Sequence, residues 1–217
     1  MSHRQTIQTI ATFLPLLSLV STAHADETRY EVGLRANVLL GDGVPANDIM
    51  GFGVIGHYNL RNGWFAGAAL DTYDYDFERP SLILGIAQDP AVKDIDALAS
   101  NTVLSGFVGR HYGDSNRGFD WFWTAGLGIG FPDVDDVSGP TATGGTFDLT
   151  FDANTEFHLM GTLGTSYHFT PAWSATFSAR LEHHFMDIQI TDRVTGSTGK
   201  VDSQTAVGAY LSINYSF

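Results

Sequence analysis

Asp202-Ser-Gln-Thr-Ala-Val-Gly-Ala-Tyr-Leu-Ser-Ile-Asn-Tyr-Ser-Phe217 alternates with a period of two. Val207, Ala209, Leu211, Ile213, Tyr215 and Phe217 fall on one side; Ala206, Gly208, Tyr210, Ser212, Asn214 and Ser216 fall on the other. Successive side chains of a strand point to opposite faces, so this is a strand with one greasy face and one small or polar face. Two aromatic residues share the greasy face where the chain stops. A sheet in hydrocarbon cannot leave bare N–H and C=O groups along an edge. A strand of this kind therefore reads as one that closes a sheet on itself within a membrane.

The other end of the chain agrees. His3 and Arg4 precede an apolar run from Ile10 to Val20, and Ser21-Thr-Ala-His-Ala25 leads into Asp26. A basic start, a short apolar core and an Ala-x-Ala end predict a secretory signal over residues 1–25, cleaved after Ala25, with residues 26–217 as one domain. The alternative is a membrane anchor, but so short a run, interrupted by Pro15, cannot span about 30 Å of hydrocarbon. The 11 basic and 24 acidic side chains give a net charge of −13, which argues against nucleic acid as a partner. Cysteine is absent, so disulfides, thiolate catalysis and Cys-ligated metals are excluded. No continuous apolar window reaches the roughly 18 residues of a spanning helix, which leaves a barrel open, because barrel strands are only half hydrophobic.

Eight alternating stretches can be marked: residues 29–39, 49–60, 64–77, 102–112, 119–131, 151–169, 173–188 and 202–217. The fifth is the clearest, with Trp121, Trp123, Ala125, Leu127, Ile129 and Phe131 against Asp120, Phe122, Thr124, Gly126, Gly128 and Gly130. The expected fold is all-β, an eight-stranded antiparallel up-and-down transmembrane barrel. Connections after the second, fourth and sixth stretches are short and the others long. Short turns belong to the periplasmic rim, so both chain ends are expected in the periplasm. Tyr58, Trp64, Tyr112, Trp121, Tyr167 and Trp173 flank the short turns, and Tyr30 and Tyr215 lie at the same level, as an interfacial aromatic belt requires. A soluble lipocalin-like barrel would instead carry polar residues at the outward positions.

The signal sequence, the eight alternating stretches and the terminal Phe217 together resemble the small outer-membrane barrels: the OmpA-type transmembrane domain, the OmpX-like and the OmpW-like proteins. The resemblance covers the whole chain after residue 25. It implies residence in the outer membrane of a Gram-negative bacterium, contact with lipid bilayer and lipopolysaccharide, and recognition of Tyr215 and Phe217 by the barrel-assembly machinery. The peptidoglycan-binding domain that follows the barrel in long OmpA-like proteins has no counterpart before Phe217.

The interior of a narrow barrel is filled by its own side chains or holds one small ligand. Glu31, Arg35, Asp71, Asp120, Glu156, Arg180 and Glu182 are expected to point inward, with His57, His158 and His184 close by in the pattern. Isolated charges there would be prohibitive, so a paired network is expected, centred on Arg35 and Arg180. Arg110 and His111 cannot both face in. The network reads as a structural plug, with a gated ion path as the sharper alternative. Gly126-Leu-Gly-Ile-Gly130 lies inside a strand with no helix after it, so it is not a nucleotide loop; inward glycines read as room for long interior side chains.

Acidic residues crowd the extracellular end: Asp71, Asp74, Asp76, Glu78, Asp89, Asp94 and Asp96, then Asp133, Asp135, Asp136, Asp148 and Asp152. Asp133, Asp135 and Asp136 are weak candidates for Ca²⁺ or Mg²⁺, without EF-hand spacing, and otherwise form a solvated acidic rim. Pro90 could open a short helix with Val92, Ile95 and Leu98 on one face, laid across the barrel mouth with Leu82, Leu84 and Ile86. Some small outer-membrane barrels modify lipid A with Ser, His and a carboxylate. Candidates of those types are Ser166 with His168, and His183 or His184 with Glu182 and Asp187. None makes a credible nucleophile–base pair at outer-leaflet depth, so no catalytic residue and no cofactor are assigned. The function expected is a structural outer-membrane protein with acidic loops that serves envelope integrity or surface interaction. A narrow channel for ions or small hydrophobic solutes is the first alternative and a lipid A-modifying enzyme the second.

Overall fold

The computed structural model describes residues 30–41, 48–78, 96–113, 118–141 and 144–217. The expected signal sequence and the apolar segment around Leu82 to Ile95 lie outside the described residues. The expectation of eight strands in an up-and-down barrel is corrected: the described residues form ten strands in one sheet. These are β1 (Tyr30–Gly41), β2 (Asp48–Asn59), β3 (Trp64–Glu78), β4 (Asp96–Gly113), β5 (Gly118–Val134), β6 (Val137–Pro140), β7 (Thr146–Ala153), β8 (Glu156–His168), β9 (Trp173–Asp192) and β10 (Thr198–Ser216). Their order is β10-β1-β2-β3-β4-β5-β8-β9-β7-β6, and β10 also pairs with β9. The sheet is barrel-like, but its pairing is not that of a simple meander.

The physical reason for the extra strands lies between residues 131 and 157. Thr146-Phe-Asp-Leu-Thr-Phe-Asp-Ala153 alternates as strictly as any other stretch, and it pairs with β6 as a hairpin. β7 then lies beside β9, with Leu149 opposite Asp192 and Ala153 opposite Ile188. β8 takes over the same edge of β9 from Phe157, opposite Phe185. The stretch expected as one strand over residues 151–169 is thus two, broken at Asn154 and Thr155, and the connection before it, expected as an acidic loop, is a hairpin. The fourth and seventh stretches run further than expected, to Asp96 and Asp192, so Leu98 stands in a strand and not in a helix.

Period two holds where the strands are long. In β9 every second residue from Ser174 to Asp192 is buried, and the intervening ones are exposed or half-buried. The other face is apolar: Leu34 and Leu163 are each 70% exposed, and Trp121, Leu127, Phe177 and Leu211 are exposed with them. Water would not tolerate a sheet-wide patch of this kind on a soluble protein. At one end of the sheet the aromatic rings meet in pairs: Tyr30 with Tyr58 at 4.9 Å, Trp64 with Trp123 at 5.7 Å and Trp173 with Tyr215 at 5.1 Å between centroids. The first short turn, a 3-10 turn over Arg61–Gly63, sits at that end, with Asn62 and Gly63 at positive φ of 61° and 75°. Small or amide side chains tolerate that conformation best.

The enclosed face is layered. An aromatic layer of Phe65, Phe107, Phe122, Met160 and Tyr210 lies toward the short turns. A larger apolar cluster fills the opposite end, where Phe77, Ile188 and Ile190 pack with Phe147 and Leu149 of the hairpin. Charged side chains occupy the level between.

Candidate functional site

Two buried ion-pair groups share that middle level. In the first, Arg35 on β1 grips Asp71 on β3 with both arms of its guanidinium; Nε donates to Oδ1 at 2.6 Å. Asn37 Nδ2 donates to the same oxygen at 3.0 Å, and the Tyr210 ring lies 5.3 Å from the guanidinium carbon. β2 stands between these strands, and the residue in register with both Arg35 and Asp71 is Gly53. A Cβ there would collide with the Asp71 carboxylate, so the glycine is what lets the pair meet across an intervening strand.

In the second group, Arg180 on β9 pairs with Glu182, donates to Tyr73 Oη at 3.2 Å and lies 3.3 Å from Met160 Sδ. His184 links two carboxylates: its Nε2 is 3.2 Å from Glu182 Oε2 and its Nδ1 is 3.0 Å from Glu156 Oε1. Asn101 Nδ2 donates to Glu156 Oε1 at 2.7 Å. His158, directly opposite His184 in register, has Nε2 3.3 Å from Ser105 Oγ. Glu156, Glu182, Arg180 and His158 are each no more than 2% exposed. Burying this many charges is tolerable only because they neutralise and hydrogen-bond one another.

A third, smaller set lies nearer the short turns. Asp120 Oδ2 is 2.9 Å from His111 Nδ1 and 3.5 Å from His168 Nε2, while Glu31 is 3.8 Å from His57 and accepts from Ser216 Oγ at 3.0 Å. His111 is therefore the inward residue of its pair, and Arg110 lies over the Trp64 and Tyr112 rings outside. A small cavity of about 30 Å³ lies between this set and the middle level and is lined by Glu31, Arg35, His57, Phe122, Met160 and Arg180 among others.

Of the residues expected in an interior network, Arg35 meets Asp71, and Arg180, Glu182 and Glu156 meet through His184. Asp120 and Glu31 stand apart from both. Asn37, Tyr73, Asn101 and Ser105 also belong to the network. The inward glycines of β5 are a signal for the long side chains instead: Gly126, Gly128 and Gly130 stand in register opposite Met160, His158 and Glu156. A Cβ on any of the three would collide with the side chain across from it. Gly130→Val should accordingly cost about 1–3 kcal/mol as an overpacked core does, read by urea unfolding of the chain refolded in detergent. Gly161→Val on β8 is the internal control, because a Cβ there meets nothing within 4 Å. Equal effects of the two would refute the packing argument.

The other candidates fall as follows. Ser166 Oγ is bonded to Thr176 Oγ1 at 2.8 Å, His168 approaches Asp120, and His183 Nδ1 lies 3.0 Å from Thr205 Oγ1. Asp187 pairs with Lys200 at 3.4 Å on the exposed surface. Asp133 is exposed on β5, and Asp135 donates its N–H to Leu98 O at 2.9 Å. Asp136 Oδ1 accepts the Phe151 N–H at 3.1 Å, fastening the hairpin. Phe217 exchanges both main-chain hydrogen bonds with Tyr30, at 2.9 and 3.2 Å, and its ring stacks on Tyr30 at 5.8 Å.

No protein-family model matches the chain, and no curated protein sequence does. Solved structures do. The outer-membrane protein OprG from Pseudomonas aeruginosa superposes with a TM-score of 0.56 at 13% identity, over 88% of this chain and 97% of that one. Neisserial surface protein A gives 0.53 at 14% identity, over 87% and 97%. The outer-membrane protein AlkL, solved in lipid bilayers, gives 0.51 at 13% identity, over 90% and 93%. At this identity the likeness shows the fold alone: the chain folds like the small outer-membrane β-barrel proteins.

Proposed function

We propose that the chain is a non-enzymatic outer-membrane protein of a Gram-negative bacterium whose interior is a structural plug and whose acidic rim faces outward. The chain ends and short turns lie on the periplasmic side in this reading. The observation that carries it is the pairing of an apolar, aromatic-belted outer face with an enclosed face filled by two ion-pair groups and an apolar cluster. A ring of exposed Leu, Phe and Trp suits lipid, and an interior packed with Arg–carboxylate pairs leaves no continuous water path. Asp74, Asp76, Asp133, Asp135 and Asp152 at the hairpin end would attract divalent ions that bridge to anionic lipopolysaccharide. Ser105, Ser166, His168 and His184 of the enclosed face are engaged in hydrogen bonds and ion pairs of the plug, which supports a structural role for them.

The test is conductance. The unmodified protein in a planar bilayer should stay at or close to the baseline of the empty membrane. A steady, ion-selective channel would overturn the plug and promote the narrow-passage reading, for which the small cavity lined by Glu31, His57 and Arg180 would be the vestibule.

A further inference from the structure

Glu156, His158 and His184 each offer a ligand atom, and these atoms lie within 4.8 Å of one another. The geometry points to a single divalent transition-metal site of the zinc class at this place in the barrel-like interior, held by the two imidazoles and the carboxylate. Two histidines and one carboxylate are a borderline donor set. It suits Zn²⁺, Co²⁺ or Ni²⁺ and not the hard, all-oxygen preference of Ca²⁺ or Mg²⁺.

Four features support the assignment beyond proximity. The first is the strand geometry: Glu156 and His158 are two apart on β8, so they share a face, and His184 on β9 is in register with His158. The second is orientation. Ser105 engages His158 Nε2 and Glu182 engages His184 Nε2, which leaves the Nδ1 atom of each ring for the shared side. A carboxylate on the far nitrogen of a ligating imidazole is the usual device for fixing its tautomer and raising its basicity. The third is unmet valence: His158 Nδ1 and Glu156 Oε2 are buried and have no hydrogen-bond partner. Buried polar atoms are seldom left so, and a cation would satisfy both. The fourth is space. Gly128 and Gly130 lie across β5 from His158 and Glu156 and lack the Cβ that would block these side chains. Asn101 and His184 also line a second, water-sized cavity of about 10 Å³, where a water could stand as a fourth ligand.

His184 Nδ1 already lies 3.0 Å from Glu156 Oε1. That is close to the spacing of two ligands on a tetrahedral ion with bonds of about 2.0–2.1 Å. Small rotamer adjustments of His158 would complete the set.

The test uses the untagged full chain, refolded in detergent micelles, stripped with a chelator and titrated with Co²⁺. One ion per chain is expected, with the intense visible absorption of four- or five-coordinate cobalt and its loss on adding Zn²⁺. His158→Ala and Glu156→Gln should each weaken binding by more than about 100-fold, and Ser105→Ala, which only frees the far nitrogen, by about 10–100-fold. His183→Ala and Asp133→Asn should bind as the parent does. Folding of each variant is followed by the mobility difference between unboiled and boiled samples. If the ligand variants do not fold, the parent's spectrum and Ser105→Ala decide. Weak six-coordinate cobalt bands, a stoichiometry well below one, or binding that survives in folded His158→Ala would each overturn the site.

Discussion

Arg180→Leu is expected to remove about 3–5 kcal/mol of unfolding free energy, the range for breaking a buried ion pair by deleting one partner. The guanidinium is buried and pinned by Glu182, by Tyr73 Oη at 3.2 Å and by Met160 Sδ at 3.3 Å. Leucine fills much of the stem's volume but leaves Glu182 facing Glu156 with only His184 between them. The second change is the informative one. Arg180→Leu combined with Glu182→Leu removes the stranded carboxylate along with its partner, so it should recover most of the loss, as buried pairs replaced by apolar residues do. Urea unfolding of the refolded chain, followed by tryptophan fluorescence, reads both. A single variant that loses less than about 1 kcal/mol would mean that water or lipid headgroups reach Glu182 and that the interior is not sealed at this level.

Deleting Phe217 is expected to lower the amount of inserted protein in cells severalfold while export and removal of residues 1–25 proceed as before. Phe217 and Tyr30 exchange N–H···O bonds in both directions, and their rings stack with planes 17° apart. The deletion frees both main-chain groups of Tyr30 at the seam between the first and last strands, where Tyr58, Trp173 and Tyr215 complete the aromatic cluster. Each main-chain bond contributes only about 0.5–1.5 kcal/mol, so a finished sheet would survive the loss. The effect should therefore fall on insertion rather than on the stability of protein already inserted. The band that changes mobility on boiling, measured in the outer-membrane fraction, is the readout. Wild-type levels of that band would sink the claim.

Legibility in the sequence followed the face of the sheet. The lipid-type face was readable because hydrocarbon demands a one-sided alternation, and Trp121 to Phe131 or Val207 to Phe217 satisfy it without exception. The hairpin over residues 137–150 is the part the pattern conceals. Five aspartates between 133 and 152 suggested a solvated loop, yet Phe147, Leu149 and Phe151 alternate with three polar residues and bury against Ile188, Ile190 and Phe77. Charge there marks the outward side of a hairpin, and it hid the period. The inward charges were nameable one by one, but their partners were not, because pairing is set by stagger between strands. Arg35 meets Asp71 two strands away, whereas Arg180 meets Glu182 on its own strand. The role of His184 between two carboxylates depends on that stagger and has no local signature.

The glycines of β5 also bear on how the sheet finds its alignment. Slide β8 by one residue against β5 and every long inward side chain turns to the other face. Slide it by two and the alternation is preserved, but Glu156 comes to stand where Pro132 is, while Gly126 moves off Met160 and faces Thr162. The second slip is the one hydrophobicity cannot forbid, and a row of three missing side chains forbids it by shape. Small-against-large pairing thus works as a ruler between neighbouring strands, telling the growing sheet how far it has moved as well as which way it faces.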